Sequence, residues 1–379
     1  NNVQGASDSG LIPMVYPDYQ SVEDPAIRAK FEKAWGRELD PDNGLTVVEM
    51  ALVIGPASPP TLAMLAWQWL QDADPAVAAQ GAAAGGVLTL LVLACALLWM
   101  ALQNRARRSL RLLNGRRGRQ HAAPAQGMPG GLWPLAGLYA AVLLALAVGS
   151  VAGIWPFPAF WPEQLSTRAW ASVAASSGSA WTTLNLAVAS SALAQAWSVA
   201  WLELAPRRWD QALRPLLYLP LVLPAVLWVV GLYAMALQLR LEGQWAGLLL
   251  AHTLMVLPYV LLTLSPAYLG FDARYAALCA SLGHGRAAFL WRVKWPLLRR
   301  AIASSAAVGF AVSVAQYLPT LYVGAGRYAT VTTEAVTLAA GAQRSLTSAY
   351  AALQFALPVL AFALAAWLGR ARRFAQVRA

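Results

Sequence analysis

Runs of about twenty apolar residues, the length that crosses the hydrocarbon core of a bilayer as helix, recur along this chain. They fall at 84–104, 132–154, 180–202, 215–238, 246–269, 301–323 and 350–369. The runs are continuous rather than alternating, which predicts helices and not the strands of a membrane barrel. The expected fold class is all-α: a polytopic helical membrane protein with about seven transmembrane helices. Composition agrees, with 59% hydrophobic residues and only 12% charged, about half the charge of an ordinary soluble domain.

The net charge of +11 raises the question of nucleic acid. Its distribution points to a membrane instead. The loops 105–119, 202–214 and 270–300 and the tail from 370 carry 7, 3, 6 and 4 Lys and Arg. The intervening loops 155–179, 239–245 and 324–349 carry 1, 1 and 2. Rich and poor loops alternate span by span, the positive-inside pattern, which places 105–130, 203–214, 270–300 and the C-terminus in the cytoplasm. Trp155, Trp161, Trp170 and Trp245 sit near span ends, as interfacial aromatics do. No soluble face with interleaved aromatics exists to bind nucleic acid.

No metal or catalytic constellation emerges. The two cysteines, Cys95 and Cys279, are too few for a disulfide framework or a zinc site. Of His121, His252 and His284, only His252 falls in a span, so paired axial haem ligands are lacking. The polar, acidic first residues do not resemble a cleavable signal peptide.

Composition changes near Met50. Residues 1–50 hold nine of the seventeen acidic residues against four basic ones. Asp24-Pro25 reads as an N-cap followed by Pro at the first helical position, and Ile27, Phe31 and Trp35 recur every four residues. One short amphipathic helix buries too little to fold alone. The run Asn2-Val3-Gln4-Gly5-Ala6-Ser7-Asp8 and the stretch from Arg28 to Trp35 resemble an internal segment of the large subunit of molybdopterin-dependent formate dehydrogenases. The likeness stops at the seam, so it implies a fused or artefactual fragment and carries no catalysis.

The rest of the chain contains a repeat. Leu52-Val53-Ile54-Gly55 and Leu321-Tyr322-Val323-Gly324 are each followed by a polar turn, a threonine (Thr61, Thr330) and an apolar helix pattern. Each stretch closes on Arg-Ala-Arg-Arg, at 105–108 and 370–373. Duplication follows. Residues 51–108 read as the C-terminal remnant of a first module, 109–130 as a basic, Pro- and Gly-containing cytoplasmic linker, and 131–373 as a complete second module.

Between two spans of that module lies a basic amphipathic insert, residues 271–300. Ala276, Ala277 and Ala280 keep its surface low, and Gly283 breaks it into two short helices. Phe289 and Trp291 offer apolar anchors of the kind that dominate binding energy. Arg286, Arg292 and Lys294 supply positive charge. Gly283, Val293 and Pro296 match the spacing of the coupling loop that binding-protein-dependent ABC transporter permeases present to their ATPase. The first three positions of that motif fall on Ala277, Leu278 and Cys279, so its glutamate is absent, and Trp295 replaces its leucine. The segment 307–341 resembles the Ynj-type permeases, relatives of thiamine and ferric-iron importers. Over residues 52–373 the resemblance implies a MetI-like permease fold in a bacterial inner membrane. It also implies a separate ABC ATPase subunit that uses the ATP, a periplasmic solute-binding protein, and a second permease module or self-association. It implies no cofactor on this chain.

Polar residues inside spans are costly and mark interior faces or pathways. Gln316 and Tyr317, just before the helix-breaking Pro319, and Asn185 and Gln195 are the candidates for a translocation pathway. His252 reads as a packed interior or interfacial histidine, and Pro220, Pro224 and Pro258 as shapers of helices. The function expected is the permease subunit of an ABC importer for a small solute. The alternatives are a formate dehydrogenase-related redox subunit and a non-functional chimera.

Overall fold

The computed structural model describes residues 62–70, 74–114, 132–153, 155, 161–223, 225–340 and 343–370. The chain divides between Ala57 and Ser58, and all described residues lie in the second unit. The fragment 1–50, the start of the first-module remnant, most of the linker, Pro224 and the tail from 371 lie outside them. The described residues are helical, with only an isolated bridge between Ala152 and Leu165.

The helices, in chain order, are α1 Leu62–Leu70, α2 Pro75–Asn114, α3 Leu132–Val151, α4 Arg168–Ala175 and α5 Ser177–Leu204. Then come α6 Arg207–Leu217, α7 Leu219–Val222, α8 Ala225–Gln238, α9 Trp245–Leu269 and α10 Arg274–Ser281. Last are α11 Arg286–Leu297, α12 Arg299–Val314, α13 Leu318–Gly324, α14 Val331–Ala340 and α15 Arg344–Gly369.

Among the described residues four helices, α2, α3, α9 and α15, are long and apolar enough to cross a membrane, and the bent pair α11–α12 makes a fifth when it is counted as one span. Length and apolarity of single helices do not by themselves give the expected count of about seven, for physical reasons. The run 180–202 folds as the 28-residue α5, but Ser, Thr and Asn side chains lower its hydropathy. The run 215–238 is interrupted at Tyr218 and Leu223, with Pro220 in the first turn of α7, leaving α8 only 14 residues. By itself α8 is roughly 21 Å of helix, shorter than the hydrocarbon core, and most of the rest of the run lies in α6 and α7. The run 301–323 breaks at 315–317, ahead of Pro319. In α2 the opposite occurs. The Arg-rich stretch expected as loop continues as helix to Asn114, since Arg, Ala and Leu are good helix formers.

The bundle is centred on α9. Two thirds of the residues in its apolar window (67%) are buried, against 6% in α2 and α3. It packs against α5, α12 and α13, while α15 packs on α12, α14 and α3. The α5–α12 contact is built from small residues: Ser190, Ser191 and Ala194 on one side, Ser305, Gly309 and Ser313 on the other. Side chains of this size let two backbones approach where hydrophobic burial gives no preference for helix over lipid. Outward, Leu90, Leu97, Leu98 and Trp99 of α2 and Trp133, Leu138 and Tyr139 of α3 are exposed. So broad an apolar surface belongs to a multi-pass membrane protein, facing lipid or other helices.

The segment 324–349, expected as an external loop, folds back into the bundle. Its α14 buries Val331 and Ala335 against Ala169, Val173, Ala349 and Tyr350. The Val331 N–H donates to Thr183 Oγ1 at 2.9 Å, and the Thr332 hydroxyl donates to the Val314 carbonyl. Thr332 thus satisfies a carbonyl left free at the end of α12.

Candidate functional site

The insert 271–300 is a compact pair of short helices. The Asp272 carboxylate accepts the Arg274 N–H at 2.9 Å and starts α10. Gly283 turns the chain with φ +76°, and nothing lies within 4 Å of where a Cβ would sit. The backbone conformation, not lack of space, requires glycine there. The second helix, α11, contains a π-helical turn over Leu290–Lys294 and meets α12 at a 73° bend. Phe271 stacks edge-on against Phe289, centroids 6.1 Å apart, and lies 5.5 Å from the Tyr275 ring. Trp291 and Trp295 pack edge-on at 4.4 Å. Such pairs stiffen the two arms into one piece.

The piece is fastened to the ends of α5 and α9 through Glu203, the one acidic residue of α5. Its carboxylate accepts from Tyr268 Oη at 2.7 Å and Arg286 Nη2 at 3.1 Å, and from Lys294 Nζ. Arg286 Nη2 also donates to the Glu203 carbonyl at 2.8 Å. Trp295 Nε1 donates to Tyr268 Oη at 3.2 Å, and the Lys294 ammonium lies 4.0 Å from the centroid of the Tyr268 ring. The Glu203 and Lys294 side chains are each 13% exposed. Burial pushes the Glu203 carboxyl up, but hydrogen bonds from Lys294, Tyr268 and Arg286 outweigh it and hold the group below its ordinary pKa. Beneath this cluster Leu264, Tyr268 and Leu298 are buried, with Val199 and Leu202 packed against them. A second fastening ties the start of α12 to α15. Arg299 donates to the Arg370 carbonyl and Arg300 to the Gly369 carbonyl, both at 2.7 Å. These are unpaired carbonyls at a helix C-terminus, where a cation is favoured.

Part of the insert is open. Leu278, Leu282, Trp291 and Leu297 are among its exposed large apolar side chains, with Trp291 68% exposed. Of the expected loop residues, Ala277, Gly283, Trp291 and Pro296 are exposed and Val293 is half-buried. Phe289 is half-buried against Phe271, so its ring supports the insert from within. Arg286 and Lys294, expected to offer charge outward, are turned onto Glu203, and Arg292 stays exposed.

The expected pathway residues do not form one cluster. Gln316 and Tyr317 sit, half-buried, at the break between α12 and α13. The Gln316 carbonyl, freed by the break, accepts the Thr320 hydroxyl at 2.9 Å. Tyr317 packs against Val229 and Leu318. Gln195 Oε1 accepts from Ser305 Oγ at 2.9 Å, which makes it an interhelical hydrogen-bonding residue. Asn185 is exposed on α5.

The polar group that does bridge the break is His252. It is buried, with Nδ1 2.9 Å from Ser313 Oγ and Nε2 2.9 Å from Thr320 Oγ1. Thr320 gives its hydrogen to the Gln316 carbonyl and therefore accepts from Nε2–H. Nδ1 then accepts from Ser313, whose oxygen accepts from Ser190 Oγ at 2.9 Å. The tautomer is fixed by its neighbours, and one histidine ties α5, α9 and both sides of the break into a satisfied chain.

A family model described as "Binding-protein-dependent transport system inner membrane component" matches residues 192–374, which include the insert, its fastenings and the broken helix. The chain is 36% identical over 338 residues to the "Inner membrane ABC transporter permease protein YnjC" of Escherichia coli. That alignment covers 87% of this chain and 60% of the relative, so the chain spans less than two thirds of that protein's length. It is 33% identical over 123 residues to the "Molybdenum transport system permease protein ModB" of Mycobacterium tuberculosis, covering 29% of this chain and 47% of that protein. A short stretch is 66% identical over 38 residues to formate dehydrogenase H of Escherichia coli, which is 10% of this chain and 5% of the enzyme. Through residues 192–374 the chain is similar to the binding-protein-dependent inner-membrane components, and over most of its length it is similar to a permease of an ABC transporter.

Proposed function

We propose that the chain is the membrane-spanning permease subunit of an ATP-binding-cassette importer. The insert 271–300 lies in the cytoplasm with the loops 105–130 and 203–214 and the C-terminus, a placement the charge asymmetry of the loops supports. It docks into an ATP-hydrolysing subunit, which consumes the ATP. A periplasmic binding protein delivers a small solute to the opposite end. A second permease module, from another chain or a second copy, completes the pathway. In this reading residues 51–108 and 131–373 are a partial and a whole permease module joined by the linker 109–130. Residues 1–50 are a joined fragment. The relative's 87% share of the chain and the formate dehydrogenase share of 10% support two origins.

One observation carries the reading. The insert is stiff within, fastened to three helix ends, and carries exposed apolar side chains that the fastenings do not use. A lipid-binding basic loop gains from outward cations, whereas two of this loop's cations are spent on Glu203. The test is retention of the partner. A tagged chain isolated from native membranes is expected to bring an ATP-hydrolysing subunit with it. Trp291→Ala removes a central exposed anchor worth about 2 kcal/mol or more, and the bound subunit should fall roughly thirtyfold. Equal recovery with both chains would contradict the reading.

A further inference from the structure

Glu203 is the point where three elements meet on one carboxylate: the end of α5, which carries it, α9 through Tyr268, and the insert through Arg286 and Lys294. The two cations come from the opening residue of α11 and from the end of its π-helical turn. We propose that Glu203 is a positioning residue that forces a displacement of the insert into α5 and α9. The proposal rests on the reading above, that the insert docks an ATP-hydrolysing subunit.

The insert leaves α9 at Gly270 and enters α12 at Leu298, and each link is a single backbone with two soft dihedrals per residue. A stiff body held at two points still rotates about the line that joins them. The Glu203 cluster supplies a third point, on α5, an element to which neither chain connection ties the insert, and opposes that rotation. The apolar contacts under it, Leu264, Leu298 and Val199, are non-directional and permit sliding. The hydrogen bonds from Tyr268, Arg286 and Lys294 fix direction as well as distance. A push at Trp291 therefore reaches α5, and through Ser190 and Gln195 it reaches the hydroxyls of α12.

Removing the carboxylate alone strands the Lys294 ammonium in a cleft where its side chain is 13% exposed. The decisive variant is therefore the neutral pair Glu203→Gln with Lys294→Gln, beside Glu203→Asp, which keeps the charge. The full chain, with Cys95→Ser and Cys279→Ala, carries Gln316→Cys at the helix break as a reporter. It is purified with its bound ATP-hydrolysing subunit and reconstituted in lipid nanodiscs. The rate of maleimide labelling is compared with ATP and with ADP.

With native Glu203 and Lys294 the two rates should differ about fivefold or more, the lower end of ordinary allosteric coupling. With the neutral pair the ratio should fall to one while the subunit stays bound and still hydrolyses ATP, and Glu203→Asp should restore most of it. An unchanged ratio in the neutral pair overturns the proposal. So does loss of the bound subunit, because Glu203 would then act in docking. A chain with native Glu203 and Lys294 that brings no ATP-hydrolysing subunit, or shows no nucleotide effect, overturns the underlying reading and this proposal with it.

Discussion

Gly309→Leu is expected to leave almost no monodisperse protein in detergent. Gly309 of α12 faces Ser191 of α5 and Val256 and Val260 of α9. Even a Cβ there would lie 2.8 Å from Ser191 Oγ and from Val260 Cγ2, and 3.1 Å from Val256 Cγ1. Ser191 cannot easily turn away, because its hydroxyl donates to the Ala306 carbonyl at 2.8 Å. Val256 and Val260 are fully buried, and their β-branched side chains are stiff at χ1. A leucine must push the helices apart and break the Ser190–Ser313 contact nearby. Overpacking of this kind costs about 3 kcal/mol or more. Gly309→Ala should be milder, since about 1 kcal/mol of helix propensity offsets part of the overlap. Fluorescence-detected size exclusion and thermal melting measure both. A leucine variant with the native melting temperature would mean that the three-helix contact is not as close as described.

His252→Leu carries the second large effect. Leucine fits the volume but leaves the Ser313 hydrogen without an acceptor and Thr320 without its donor, both buried. Each stranded group costs roughly 1–3 kcal/mol. Interhelical hydrogen bonds in membranes average nearer 0.6 kcal/mol, because the reference state also finds partners. A loss of about 2 kcal/mol is therefore expected. Ser190→Ala, at the end of the same chain, strands no donor and should cost less than about 1 kcal/mol. Thermal melting in one detergent orders the variants. Equal losses for Ser190→Ala and His252→Leu would show that the hydrogen bonds do not form one directed chain.

How much of this was legible in the sequence follows from the range of each interaction. Apolar length and loop charge predict a helical membrane protein, and that reading needs only local composition. Gly283 was legible because a positive φ is a property of one residue. The Pro319 break was visible at its place, although the apolar run 301–323 conceals that α12 stops at Val314. The return of α14 was not legible. Thr330, Thr332 and Thr333 fall in the loop 324–349 between two apolar runs, and only the fold brings Thr332 to the Val314 carbonyl. Glu203 was missed for the same reason. Its partners Arg286 and Lys294 are 83 and 91 positions away, and no local pattern marks the pairing. The available signal was a lone acid ending an otherwise uncharged 28-residue helix beside a cationic insert. Phe289 and Trp291 looked alike as apolar anchors. Phe271 takes one ring inward and leaves the other exposed.

The insert's role is tested most directly by its neighbours in the native membrane. A photo-reactive phenylalanine analogue placed at Trp291, in the full chain and in intact cells, reacts with whatever lies against it. The expected product joins the chain to an ATP-hydrolysing subunit, and a membrane-impermeant reagent outside the inner membrane leaves residues 271–300 unmodified. Cross-links to lipid alone, or modification of the insert from the outer side, would contradict the account.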